Sequence, residues 1–101
     1  MATILLVGRT QEVLRRAAER ATAPGVSYAF ATTLEGVQAA MGEGAIAHVV
    51  VGGGLPTETR LAVVETVLRT ADATTLHLKD AASGPDAFEP FLRALVTALQ
   101  P

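Results

Sequence analysis

The chain has 101 residues, 50% of them hydrophobic, with eight Lys and Arg, ten Asp and Glu, and a formal net charge of −2. So apolar a sequence can bury enough surface to fold, and one domain over residues 1–101 is expected. The lack of a basic excess argues against a nucleic-acid partner. The chain has no cysteine, which excludes disulfides, thiolate metal sites and cysteine nucleophiles.

The apolar runs are too short for a membrane. Ile4–Val7 cannot form the core of a signal peptide, and no stretch approaches the roughly 20 apolar residues that span a bilayer. We therefore expect a cytoplasmic protein with no membrane partner.

Four short β-branched runs, each followed by Gly or Thr and then by a stretch with helical spacing, indicate a βα repeat. The first predicted strand is Thr3–Val7, and the first predicted helix is Gln11–Thr22. Pro24 and Gly25 end that helix.

The second predicted strand is Val26–Ala31. Thr32 and Glu35 have the spacing of a capping box, which predicts that the second helix begins there. Gly42 and Gly44 end it.

The third unit contains the most β-branched run of the chain, the predicted strand Ala47–Val51. Three glycines follow it. Thr57 is then the predicted N-cap of a helix over residues 58–71, since a threonine hydroxyl can accept a hydrogen bond from the first helical turn.

The fourth predicted strand, Thr74–Lys79, alternates apolar and polar residues. This pattern predicts an edge strand that turns Leu76 and Leu78 inward and places His77 and Lys79 on a wetter face.

Pro90 decides where the last helix begins, because a proline deep inside a helix removes a hydrogen bond and clashes with the preceding turn. We predict a loop or loose turn over Gly84–Glu89 and a helix over Pro90–Leu99, with the proline near its first position.

Right-handed crossovers turn four such units into a single three-layer α/β/α domain with a four-stranded parallel sheet. The expected strand order is 2-1-3-4, which is flavodoxin-like, with helices 1 and 4 on one face and helices 2 and 3 on the other. The winding reverses between strands 1 and 3, and this reversal predicts a crevice at their C-terminal ends.

The residues that follow the strands are the candidate ligand-binding set. Glycine turns expose main-chain N–H groups, helix N-termini add partial positive charge, and an arginine can bind phosphate or carboxylate through two N–H groups. The alternative is that the glycines only end strands and the arginine is solvated. The candidate residues are Gly8, Arg9, Thr10, Thr32, Gly52, Gly53, Gly54 and Lys79.

No cofactor, metal or catalytic residue is predicted. The dinucleotide fingerprint is missing after the first strand, and the Gly-Lys-Ser/Thr of a P-loop does not occur. His48 and His77 lack the spacing of a metal pair and are expected to be structural or surface residues. Ser83 does not stand in a nucleophile motif.

The stretch Val49–Pro56 resembles the third strand and following loop of response-regulator receiver domains, a flavodoxin-like family. In that family an aspartate ends the strand and a proline stands four positions later. Here Gly52 takes the place of the aspartate, while Gly8 and Arg9 take the places of an acidic pair that holds magnesium. Lys79 corresponds to the family's lysine only if one missing βα unit is allowed for.

Phosphoryl transfer to an aspartate needs the carboxylate and a divalent cation. The resemblance therefore implies a degenerate, phosphorylation-independent member. We expect a small non-catalytic regulatory or adaptor module acting through protein contact with an unknown partner or a second copy.

Two further alternatives stay open. The last helix either forms an interface or fills the core of the molecule with its own apolar residues. The crevice could instead bind a phosphate-containing ligand or nucleotide, in a binding protein or an enzyme subunit. The apolar residues of the last helix are Phe88, Phe91, Leu92, Leu95 and Leu99.

Overall fold

The structure, a computed structural model, describes residues 2–100. Strands and helices alternate along this part of the chain, as the βα repeat predicts. The strands are β1 (Ala2–Val7), β2 (Val26–Ala31), β3 (His48–Val51) and β4 (Thr75–Leu78). The helices are α1 (Gln11–Glu19), α2 (Leu34–Gly42), α3 (Thr57–Thr70) and α4 (Phe88–Leu99), with a 3₁₀ turn (Pro85–Ala87) before α4.

The strands form one parallel sheet in the order β2-β1-β3-β4. This confirms the predicted order and the three-layer α/β fold. In the register of the sheet, Val7 lies between Ala31 and Val51, and Val51 is opposite Leu78. The C-terminal ends of all four strands therefore lie at the same end of the sheet.

The core has two halves because parallel strands covered on both sides are apolar on both faces. Ile4, Leu6 and Val50 pack against α1 and α4, whereas Leu5 and Val49 pack against α2 and α3. The predicted assignment of helices to faces is thus confirmed.

The second helix begins one residue later than the capping box predicts. The Thr33 hydroxyl, and not that of Thr32, accepts a hydrogen bond from the main-chain N–H of Gly36 at 3.0 Å. Thr33 also has the extended backbone of an N-cap residue. The predicted pairing of Thr32 with Glu35 is therefore wrong.

The first and third helices also differ from prediction at their ends. The first helix ends at Glu19 rather than at residue 22. The third begins at Thr57 itself, with Pro56 before it and no side-chain cap.

The predicted turn after Gly84 is present, but it is shorter than predicted and ends at Ala87 rather than at Glu89. The chain already turns at Pro85–Ala87 and continues directly into α4 at Phe88. Pro90 is the third residue of α4. It is tolerated there because N–H groups of the first helical turn have no partner within the helix.

β4 is an edge strand as predicted, but its two faces do not divide into a wetter and a drier one. Thr75 is exposed on the face predicted to be wetter, and Leu76 is half-buried on the other. Leu78 is half exposed, His77 is half-buried and Lys79 is buried. Lys79, which directly follows β4, borders the same space as Pro85 of the 3₁₀ turn and Phe88 of α4.

The last helix fills the core. Phe88, Leu92 and Val96 are buried against β1, β3 and α1, and Phe91, Leu95 and Leu99 pack partly buried against them. Of the two alternatives for this helix, the structure shows the one in which its large apolar residues form the core. It does not support the interpretation of the helix as an interface.

Candidate functional site

A cavity of about 480 Å³ opens at the C-terminal ends of β1, β3 and β4, where the reversal of winding predicts a crevice. Its walls come from the loops after these strands, the first turn of α1 and the start of α4. The lining residues are Gly8, Arg9, Thr10, Val13, Leu14, Gly52, Gly53, Gly54, Lys79, Ala81, Gly84, Pro85 and Phe88.

The structure brings the predicted site residues together with one exception. Thr32 follows β2, at the edge of the sheet opposite β4, and does not line the cavity. The cavity lies toward the β4 side, because the loop after β4 forms its wall. Thr32 is therefore not part of the site.

Gly8 and Gly52 let apolar side chains close the bottom of the cavity. A Cβ on Gly8 would lie 2.7 Å from Leu14 Cδ2, and a Cβ on Gly52 would lie 3.4 Å from the Phe88 ring. The N–H groups of both glycines are used by the sheet, since they donate to main-chain oxygens of the neighbouring strands. These two residues thus shape the cavity and offer no donors to it.

Gly53 and Gly54 bring neighbouring loops together. A Cβ on Gly53 would lie 2.2 Å from the main-chain oxygen of Asp80, so only glycine fits where these loops touch. Gly54 approaches the Arg9 Cβ, which is 3.6 Å from an ideal Cβ on the glycine. The N–H groups of both glycines donate to no acceptor in residues 2–100. They are main-chain donors that the site can offer.

The charge in the cavity is positive. Lys79 is only 3% exposed, and its ammonium donates to the main-chain oxygen of Asp80 at 3.0 Å. Arg9 is exposed at the rim. None of the described residues that line the cavity is acidic.

The nearest acid is held outside the cavity. The Asp80 carboxylate accepts hydrogen bonds from the main chain and the hydroxyl of Ser83. These hydrogen bonds, and then the charges of Lys79 and Arg60, keep the pKa of Asp80 below its ordinary value. Arg60 also donates to the main-chain oxygen of Lys79, which ties α3 to the end of β4.

Sequence spacing missed a contact between the two histidines. His48 Nδ1 and His77 Nε2 lie 3.1 Å apart across β3 and β4, far from each other along the chain. Burial, and then the charge of His48, lower the pKa of His77 below its ordinary value. Within residues 2–100, no group of three or more His, Cys, Asp and Glu side chains is placed to hold a metal ion.

The apolar wall of the cavity was also missed. It is formed chiefly by Phe88, Pro85 and Val13. Pro85 starts a short turn that sequence patterns do not separate from a loop, and this turn carries Phe88 over Gly52. The arrangement can hold an anion beside an apolar group. It cannot accept a phosphoryl group on a cavity carboxylate, because the described lining offers none.

No family model, curated protein or solved structure matches the chain. The class is therefore defined by the fold alone: a three-layer α/β protein with the flavodoxin-like strand order, represented by four strands. None of the helices in the described part of the chain is both long and apolar enough to cross a bilayer.

Proposed function

We propose that the chain is a small non-catalytic regulatory or adaptor module. It resembles a receiver domain in layout, takes no part in aspartyl phosphorelay and acts through protein contact. The observation that carries this proposal is an exposed apolar surface beside the open edge of the sheet. We call this surface the leucine edge, and it consists of Leu61, Leu68 and Leu78, which are 58%, 67% and 50% exposed.

The leucine edge lies on one side of the molecule. Arg60 donates to the main-chain oxygen of Lys79, so its flank of α3 lies toward the end of β4. Leu61 and Leu68 are seven residues apart, about two helical turns, and form the outer margin of that flank. Leu78 is opposite Val51, whose side chain is in the core beneath α3, so Leu78 is on the same face of the sheet.

Apolar surface of this kind is a feature of contact sites on soluble proteins. β4 has no neighbouring strand on its outer side in the described chain, and its outward main-chain groups are open to pairing. A two-fold axis beside β4 brings the same surface of two copies together, so that leucines face leucines. We therefore assign a second copy of this chain as the occupant of the leucine edge.

Sedimentation velocity over a concentration series tests this assignment. We expect the unmodified chain to form a dimer, and we expect L61E with L68E to be monomeric because two charges would be buried at the contact. The matched control is A94E with A98E, which adds the same charge at exposed positions of α4. The control should dimerise like the unmodified chain.

An unmodified chain that stays monomeric up to millimolar concentration overturns the assignment. Equal loss of the dimer in both double variants also overturns it, because the contact would then respond to net charge and not to the leucine edge. Circular dichroism of each variant shows that the fold is retained.

A further inference from the structure

The only lysine of the chain is also the one charged side chain that is buried among residues 2–100. An ammonium has three N–H donors, and Lys79 uses one of them on the main-chain oxygen of Asp80. No carboxylate of the described chain lies within ion-pair distance of it, and the one carboxylate whose charge acts on it, that of Asp80, is exposed. Burial of a charge with so few partners is costly unless another group compensates it.

The surroundings of Lys79 suit an anion. The open N–H groups of Gly53 and Gly54 belong to the same cavity, and Arg9 lies beside Gly54 at its rim. The first turn of α1 borders the cavity as well, and Thr10 does not cap it with its side chain. Main-chain donors and a helix N-terminus of this kind bind phosphate well.

The rest of the cavity suits an apolar group. Phe88, Val13 and Pro85 face the same space as the cations. The volume of about 480 Å³ falls within the range of about 300 to 1,000 Å³ that is typical of small-molecule sites. An inorganic ion alone would leave most of this space and the aromatic wall unused.

We propose that the cavity binds a small organic phosphate. Lys79 and the N–H groups of Gly53 and Gly54 hold the phosphate, and Arg9 closes on it from the rim. The organic part packs against Phe88. The binding is non-covalent and independent of self-association through the leucine edge.

Phenyl phosphate is a suitable probe because it joins a phosphate to a planar apolar ring. A single lysine gives one Cε–Hε signal in a sample labelled with ¹³C-lysine, so NMR can follow Lys79 without assignment ambiguity. We expect phenyl phosphate to shift this signal and the amide signals of Gly53 and Gly54 along one saturable curve. Inorganic phosphate and benzoate should each bind more weakly.

Two variants test the cations separately. K79M keeps the length of the buried side chain and removes its charge. It should weaken phenyl phosphate binding tenfold or more, as expected for the loss of about one charge-assisted hydrogen bond. Its readout is the two glycine amides. R9M changes an exposed residue, so it keeps the fold and should also weaken binding. R69M removes one positive charge at an exposed position of α3 and should leave binding unchanged.

The proposal is overturned if phenyl phosphate gives no saturable shift, or if R69M weakens binding as much as R9M. Benzoate binding as tight as that of phenyl phosphate overturns the phosphate assignment. If K79M does not fold, R9M against R69M still decides the outcome.

Discussion

Three consecutive glycines follow β3, and their surroundings differ. A side chain at Gly53 would collide with the main chain of Asp80, whereas one at Gly54 would make an ordinary contact with Arg9. Gly52 lies under the Phe88 ring. Only glycine therefore fits at position 53, whereas position 54 tolerates alanine, and the sequence alone does not distinguish the two.

We expect G53A to lower the free energy of unfolding by about 2 kcal/mol, because the methyl group forces the loops after β3 and β4 apart. G54A is the matched control. It should change stability by less than about 0.5 kcal/mol, since its Cβ meets only the Arg9 side chain at 3.6 Å. Urea unfolding measures both values. Similar losses in the two variants would contradict the close approach at Gly53.

β4 is a four-residue strand at one edge of the sheet. It joins the sheet only through β3, and the contact between His48 and His77 adds a side-chain bond to this pairing. Burial lowers the pKa of His77, so the folded state binds its proton less readily than the unfolded chain. The stability that depends on neutral His77 is complete above the unfolded pKa of about 6.5 and is lost as the pH falls through the lower folded pKa.

The expected result is a loss of stability between pH 7.5 and 5.5 that is smaller in H77Q. Glutamine keeps a polar group beside His48 and has no proton to gain in this range. The difference should be on the order of 0.5 kcal/mol, because His77 is only half-buried and solvent screens its charge. Urea unfolding at the two pH values measures it. An identical pH dependence in H77Q would rule out His77 as its source.

Strands were easier to predict than helix ends. Runs such as Val49–Val51 are apolar because both faces are covered, and this is visible in the sequence. Thr32 and Thr33 are chemically equivalent as helix N-caps. Which of them caps the helix depends on where β2 ends and the helical turn begins. The burial of Lys79 is a tertiary effect that alternation along β4 cannot reveal.

At the scale of the whole molecule, crossover handedness and chain length leave few topologies, which is why the sheet order was predictable. Which apolar residues stay exposed on the surface could not be predicted from the sequence. This depends on how far α3 and α4 cover the sheet, and the aromatic α4 packs inward while leucines of α3 remain outside. The crevice was predictable because the ends of parallel strands meet there, but Thr32 lies too far toward β2 to share it.

The proposed module should not be phosphorylated by acetyl phosphate and magnesium. The described lining of the cavity has no carboxylate to attack phosphorus or to hold the metal ion. Intact-mass spectrometry after incubation is the measurement, with a phosphorylatable receiver domain as the positive control. Stoichiometric gain of a phosphoryl group would contradict the proposed function.

The burial of Lys79 has a practical consequence for chemical labelling. Reagents that acylate amines find one lysine side chain in this protein, and that amine is almost inaccessible to solvent. Its rate of acylation therefore reports on how often the loops around it open, and a molecule lodged in front of it would slow the reaction further. The acylation rate therefore detects ligand binding without a fluorophore or a mutation.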